Sequence, residues 1–262
     1  MSDTPRFDSL VRVTRDARWL DTGLDAGFPR LIAEMDGAAI GRACLAGRAG
    51  AADNVYVIEC ANASAGRFVP IAGLNAAEVS DVTSSSVEVA ALARGGFAGI
   101  LLSARMDGFD PLSHKCVQAI RAASQHGLVV FLDTLFRQRA YATPSAADVV
   151  DRLIHLCPGA RMVLLHGGGP ALLEMAEVVR THPSLFLDLS FSLMHYAGSS
   201  VDLDLRWLMP QLDERVVIGS AMPEFTPGQA FTRAHELAAG LPEDRWANIS
   251  HRNLDRLFPA VS

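Results

Sequence analysis

Cysteine is scarce and unpaired in this sequence: Cys44, Cys60, Cys116 and Cys157 are scattered through 262 residues with no Cys-x-x-Cys. That pattern disfavours a zinc knot or a disulfide framework and points to reduced, buried thiols. Long apolar runs are missing too. None would span a bilayer, and the opening Met-Ser-Asp-Thr-Pro-Arg has no apolar core of signal-peptide length. The expectation is a soluble, cytoplasmic protein with no membrane partner. Basic charge is in short supply: 23 Lys and Arg against 29 Asp and Glu leave a net charge of −6. No basic stripe exists to neutralise phosphates, which argues against nucleic acid. A local arginine cluster can still oppose the global sign and bind a small anion.

Apolar material is ample, at half of all residues. It is dealt out in eight short runs rich in Val, Ile, Leu or Ala, each followed by a stretch with helical periodicity. The runs are Phe7 to Val13, Ala39 to Leu45, Phe68 to Leu74, Gly99 to Ser103, Val129 to Asp133, Met162 to His166, Leu185 to Ser190 and Val216 to Ser220. Asp148 to Cys157 carries an apolar side and is stopped by Pro158-Gly159, and Val117 to Gln125 ends before His126-Gly127. The polar cluster Ser80 to Ser86 reads as the cap of a helix over Val87 to Arg94. Eight alternations without a linker predict one α/β domain over residues 1–262, a closed (β/α)8 TIM barrel. An open doubly wound sheet would show a Gly-rich phosphate loop after an early strand, and none follows the first two here.

Several motifs stand in order along those units. Arg215-Val-Val-Ile-Gly-Ser-Ala-Met-Pro-Glu224 is a buried parallel strand emptying into a small-residue loop, the end of a barrel strand that faces an active site. Gly95-Gly-Phe-Ala-Gly-Ile100 opens the fourth strand, Gly127-Leu-Val-Val-Phe-Leu-Asp-Thr134 forms the fifth, and Arg161-Met-Val-Leu-Leu-His-Gly-Gly-Gly169 forms the sixth. Leu185-Phe-Leu-Asp-Leu-Ser190 and the closing Ile249 to Pro259 complete the set. Together they resemble the amidohydrolase superfamily, in its branch of metal-dependent hydrolases, lactonases and decarboxylases, almost from end to end. The resemblance implies five metal-site positions: two on the first strand and one each on the fifth, sixth and last. This sequence offers Leu10, Arg12, Asp133, His166 and Ala221 there. Leucine and alanine ligate nothing, and a guanidinium repels a divalent ion. The expectation is therefore no tightly bound metal and no cofactor.

Three readings compete for what replaces the metal. In the first, an enzyme without metal uses His166 and Asp133 as an acid/base pair, while Arg12, with Arg105 or Arg48, binds a carboxylate or stabilises developing negative charge. Its reaction would be lactone or amide hydrolysis, decarboxylation or a proton-transfer isomerisation on a small anionic substrate. The second is an inactive barrel kept as a partner, and the third a small-molecule binding protein. Ser9, Ser190, Ser220, Glu224 and His195, the last in the loop after the seventh strand, are further candidates for the rim. A serine nucleophile is disfavoured, because no Gly-x-Ser-x-Gly elbow occurs. A homodimer is expected by family analogy alone.

Overall fold

The computed structural model describes residues 4–135 and 145–259. Eight strands form one all-parallel sheet in chain order: β1 (Phe7–Val11), β2 (Arg42–Ala46), β3 (Phe68–Gly73), β4 (Gly99–Leu102), β5 (Val129–Asp133), β6 (Met162–Leu165), β7 (Leu185–Asp188) and β8 (Val216–Val217). Each is followed by a main helix: α1 (Phe28–Gly37), α2 (Asn54–Asn62), α3 (Val82–Arg94), α4 (His114–Gln125), α5 (Ala146–Leu156), α6 (Leu172–Thr181), α7 (Val201–Gln211) and α8 (Pro227–Leu237). The ring closes where the Ser9 N–H donates to the Ile218 carbonyl at 2.9 Å and the Arg12 N–H to the Met222 carbonyl at 3.0 Å. This is the TIM barrel expected from the eight apolar runs.

The period-2 alternation of the strands separates two cores. Leu10, Ile71, Leu101, Phe131, Val163, Leu165 and Val217 fill the interior, which Leu254, Leu257 and Phe258 plug from below. The alternate residues, such as Leu45, Val130, Leu132, Met162, Leu164 and Val216, face the helices. Asn253 anchors the plug, donating from Nδ2 to the carbonyls of Asp213 and Val216 at 2.7 and 2.6 Å. All four cysteines are buried and free. No helix among the described residues is long and apolar enough to cross a membrane.

Most strands begin or end a few residues from the expected runs, and three further differences have a local cause. The helix expected at Val87 starts at Val82, because the Asp81 carboxylate, rather than the serines, caps it by accepting from the Ser84 N–H at 2.8 Å. The sixth strand stops at Leu165 because His166 turns into the left-handed region, with φ 66°. Finally, a two-stranded hairpin, Arg18–Trp19 with Leu24–Asp25, lies between β1 and α1.

Candidate functional site

The C-terminal ends of the strands surround a cavity of about 100 Å³. Arg12, Arg48, Arg105, Asp133, His166 and Glu224 all line it, with Trp19, Leu20, Phe191 and Ala221 among the walls. Four of the seven non-glycine residues with positive φ among the described residues belong to this lining: Leu20, His166, Phe191 and Ala221. Left-handed backbone is uncommon outside glycine and persists where surrounding structure enforces it, so its concentration here marks a built site.

His166 is held from several sides. Its backbone N–H donates to Asp188 Oδ1 at 3.1 Å, and its carbonyl accepts from the Ser192 hydroxyl at 2.6 Å. Its ring Nδ1 lies 3.1 Å from the Ser190 carbonyl. A carbonyl can only accept, so this contact puts the proton on Nδ1 and leaves Nε2 as the basic nitrogen. Phe191 meets the ring edge-on at 5.6 Å. Asp133, 5 % exposed at the end of β5, accepts the Leu135 N–H on Oδ1 at 2.9 Å.

Arg12 is 7 % exposed, yet its Nε has no partner among the described residues. Burial lowers its pKa from the ordinary guanidinium value, and the nearby carboxylates of Glu224 and Asp133 oppose that shift. The guanidinium sits over the Trp19 ring, 5.4 Å from its centroid. Trp19 in turn donates from Nε1 to Glu224 Oε1 at 2.9 Å, and the other Glu224 oxygen is buried without a partner. Arg48 also keeps a buried, unpartnered Nε and borders a neighbouring groove of about 590 Å³ lined by Asn54, Asn75, Glu78 and Glu88. Asp107, half-buried nearby, has its pKa pushed up to about 6 by burial, with Arg48 opposing. A larger concavity of about 710 Å³ lies elsewhere, beside Pro5, Glu243 and His251, and contains none of these residues.

Below the cavity lies a second polar layer. Asp188 Oδ1 accepts from the Ser190 N–H at 3.0 Å and from the Ser190 hydroxyl, and Oδ2 accepts from the Ser9 hydroxyl. Asp8 Oδ1 accepts from the backbone N–H groups of Leu10 and Ser220, both at 3.0 Å. Burial pushes the Asp8 carboxyl up to about 7 and raises Asp188 as well. Gly219 makes the layer possible: a Cβ there would meet the Ser9 hydroxyl and lie 2.8 Å from Ser190 Cβ.

The structure thus brings together Arg12, Arg48, Arg105, Asp133, His166 and Glu224. Ser190, Ser220 and Ser9 stand beneath the cavity, fully buried, and bind other protein groups rather than lining it. His195 is exposed and stacks on Phe191 at 4.6 Å, outside the lining. Trp19 is the residue of this lining that sequence reasoning missed, whereas Asp188, read as structural, holds the His166 and Ser190 backbone. The hairpin that delivers Trp19 has strands of only two residues each, too short to show periodicity, although Gly23, at φ 75° in its turn, is a local signal.

The five positions tied to a metal by resemblance fail a test of fit. Leu10 and Ala221 are packed in the apolar interior, Arg12 brings a positive charge, and only Asp133 and His166 can donate to an ion. Among the described residues no group of three or more His, Cys, Asp or Glu is placed to hold one. That donor set does not suit a divalent cation, which asks for three protein ligands in a catalytic site.

A closed parallel barrel with charged side chains gathered at its strand ends defines the class: a (β/α)8 protein with a charged mouth. A sequence model of the amidohydrolase family matches residues 19–250, and the chain belongs to that family. No curated protein matches the chain. Among solved structures, it is similar to an uncharacterised TIM-barrel protein from Bordetella bronchiseptica, with 18% identity, a TM-score of 0.78, and 97% of this chain and 98% of that one covered. It is also similar to a probable 2-pyrone-4,6-dicarboxylic acid hydrolase from Acinetobacter baumannii with citric acid bound (14% identity, TM-score 0.70, 97% and 98% covered). A 5-carboxyvanillate decarboxylase from Sphingomonas paucimobilis shares the fold at 15% identity and a TM-score of 0.71, with 98% and 100% covered.

Proposed function

We propose that the barrel mouth is the active site of a metal-independent enzyme acting on a small, carboxylate-bearing substrate, by lactone or amide hydrolysis or by decarboxylation. The observation that carries this is Arg12: a buried cation without an ion pair among the described residues, in one cavity with His166 and Asp133. An unpaired buried charge is costly, and an anionic ligand is the natural relief. The names of two fold relatives, a dicarboxylate hydrolase and a carboxyvanillate decarboxylase, agree with that substrate class.

In this reading Arg12, assisted by Arg105 and Arg48, grips the carboxylate through paired N–H groups. For hydrolysis, His166 Nε2 takes the proton of an attacking water, the guanidinium N–H groups stabilise the oxyanion, and the imidazolium returns the proton to the leaving group. Asp133, whose Oδ2 makes no hydrogen bond among the described residues, orients the water or stabilises the imidazolium. For decarboxylation, His166 first takes a proton from solvent at Nε2; the C–CO2 bond then breaks with its electron pair left on the carbon, and Nε2 delivers the proton there as CO2 departs. The apolar wall of Ala221 and Phe191 favours the loss of charge there.

The test uses chelator-treated protein with 2-pyrone-4,6-dicarboxylate and 5-carboxyvanillate, followed by ring absorbance and CO2 release. Turnover of at least one is expected, falling at least about 100-fold in His166→Ala with binding largely kept. Binding without turnover would make the chain a binding protein, and turnover that requires added zinc or manganese would overturn metal independence.

A further inference from the structure

Between β1 and α1 the chain leaves the barrel as a hairpin, residues 14–27, and returns. Its base is tied by the Thr14 N–H donating to the Ala26 carbonyl at 3.0 Å and the Ala26 N–H to the Ala17 carbonyl at 2.9 Å, and Arg18 and Trp19 pair with Asp25 and Leu24. Those bonds stay within the unit, so it can swing as one body without breaking the sheet. Its ties to the barrel are slight. Arg15 forms exposed ion pairs with Asp53 and Glu59, and Trp19 and Ala26 share a small apolar cluster with Ala52, apart from both barrel cores. Its hold on the mouth is Trp19, 2 % exposed, which donates its indole N–H to Glu224 and lies against the Arg12 guanidinium.

That hold carries a cost of its own. Both groups that Trp19 touches keep a buried atom with no partner among the described residues, Arg12 Nε and Glu224 Oε2. A buried polar atom that bonds nothing has lost its water without replacement, so hydrating these two opposes the hydrogen bond that keeps the indole down. The space beside it is also tight. With Leu20 of the hairpin in its wall, the cavity is about 100 Å³, against roughly 300–1,000 Å³ for ordinary ligand pockets. We propose that the hairpin is a lid on the barrel mouth, latched by the Trp19–Glu224 hydrogen bond, which lifts to admit a ligand. What passes beneath it rests on the reading of the mouth as an active site; the motion itself does not.

Ala52, 1 % exposed in the cluster with Trp19, is where opening can be read. In the full chain carrying Ala52→Cys, dithiobis(nitrobenzoate) is expected to label the introduced thiol at least about 100-fold faster than the buried Cys44 and Cys116, which global unfolding releases. Adding Trp19→Phe keeps a ring over Arg12 and removes the N–H to Glu224. Labelling should then quicken at least about tenfold, the worth of one hydrogen bond to a carboxylate. Ala26→Cys, on the hairpin side of the same cluster and 1 % exposed, repeats the reading should Ala52→Cys not fold. An introduced thiol that reacts no faster than Cys44 and Cys116 would overturn the lid, and fast labelling that Trp19→Phe leaves unchanged would overturn the latch. Fast labelling in a chain that turns over neither 2-pyrone-4,6-dicarboxylate nor 5-carboxyvanillate would uphold the lid and count against the active-site reading. Turnover in a chain whose thiol stays silent would do the reverse.

Discussion

Beneath the mouth, the carboxylate of Asp188 engages Ser9, Ser190 and the His166 backbone, while one layer higher Arg12, Arg48 and Glu224 each keep a buried atom with no partner. Asp188 in one layer and Arg12 in the other are both buried, so burial alone does not separate them. What differs is completion: the lower network closes on itself, and the upper one stays open toward a cavity. A closed polar network fixes geometry, whereas an open one asks for a ligand. Asp8 is the exception below, with a buried Oδ2 that has no partner and a pKa pushed up to about 7.

Breaking the lower layer should cost the most. Gly219→Ala drives a methyl group into the Ser9–Asp188 contact, and a loss of about 3 kcal/mol is expected from denaturant unfolding. An unchanged midpoint would mean that the layer does not depend on this glycine. Asp8→Asn sharpens the contrast through pH. An unfolded aspartate loses its proton near pH 3.9, and folded Asp8 keeps its proton up to about 7. The folded state therefore binds more protons between those values, so stability is highest at the acid end and falls as pH rises toward 7. Asparagine keeps the oxygen that accepts from Leu10 and Ser220 and removes the titration. The variant should be more stable than the natural chain at pH 8 by on the order of 2 kcal/mol, with a flatter profile in chemical denaturation between pH 4 and 8. A parallel profile would contradict the assignment. The smallest effect is expected in the upper layer: Arg12→Met removes a buried cation whose Nε has no partner among the described residues and should raise stability by about 1 kcal/mol. A clear loss of stability would show Arg12 to be structural.

The barrel was legible in the sequence because each strand is an apolar run closed by glycine, serine or a charged residue, and the structure sets seven of the eight within a few residues of those runs. The last is shorter in regular pairing, Val216–Val217. The convergence of Arg12, Asp133 and His166 was legible too, since strand ends meet at one rim once the ring closes. Ser9 was not: the irregular register between Asp8 and Val11 turns it toward Asp188, against simple alternation. Trp19 was hidden because its role depends on contacts with Arg12, just past the end of β1, and with Glu224, 205 residues away. His195 reads as a rim residue from its loop, but Phe191, in a left-handed turn at φ 60°, stands between it and the cavity.

In the proposed function a guanidinium, not an ion, receives the substrate's carboxylate. Calorimetric titration of succinate into chelator-treated protein, beside Arg12→Met, tests it directly. Saturable binding without added metal is expected, with a weakening of at least about tenfold in the variant. Binding that appears only after zinc or manganese is supplied, or that Arg12→Met leaves intact, would contradict it.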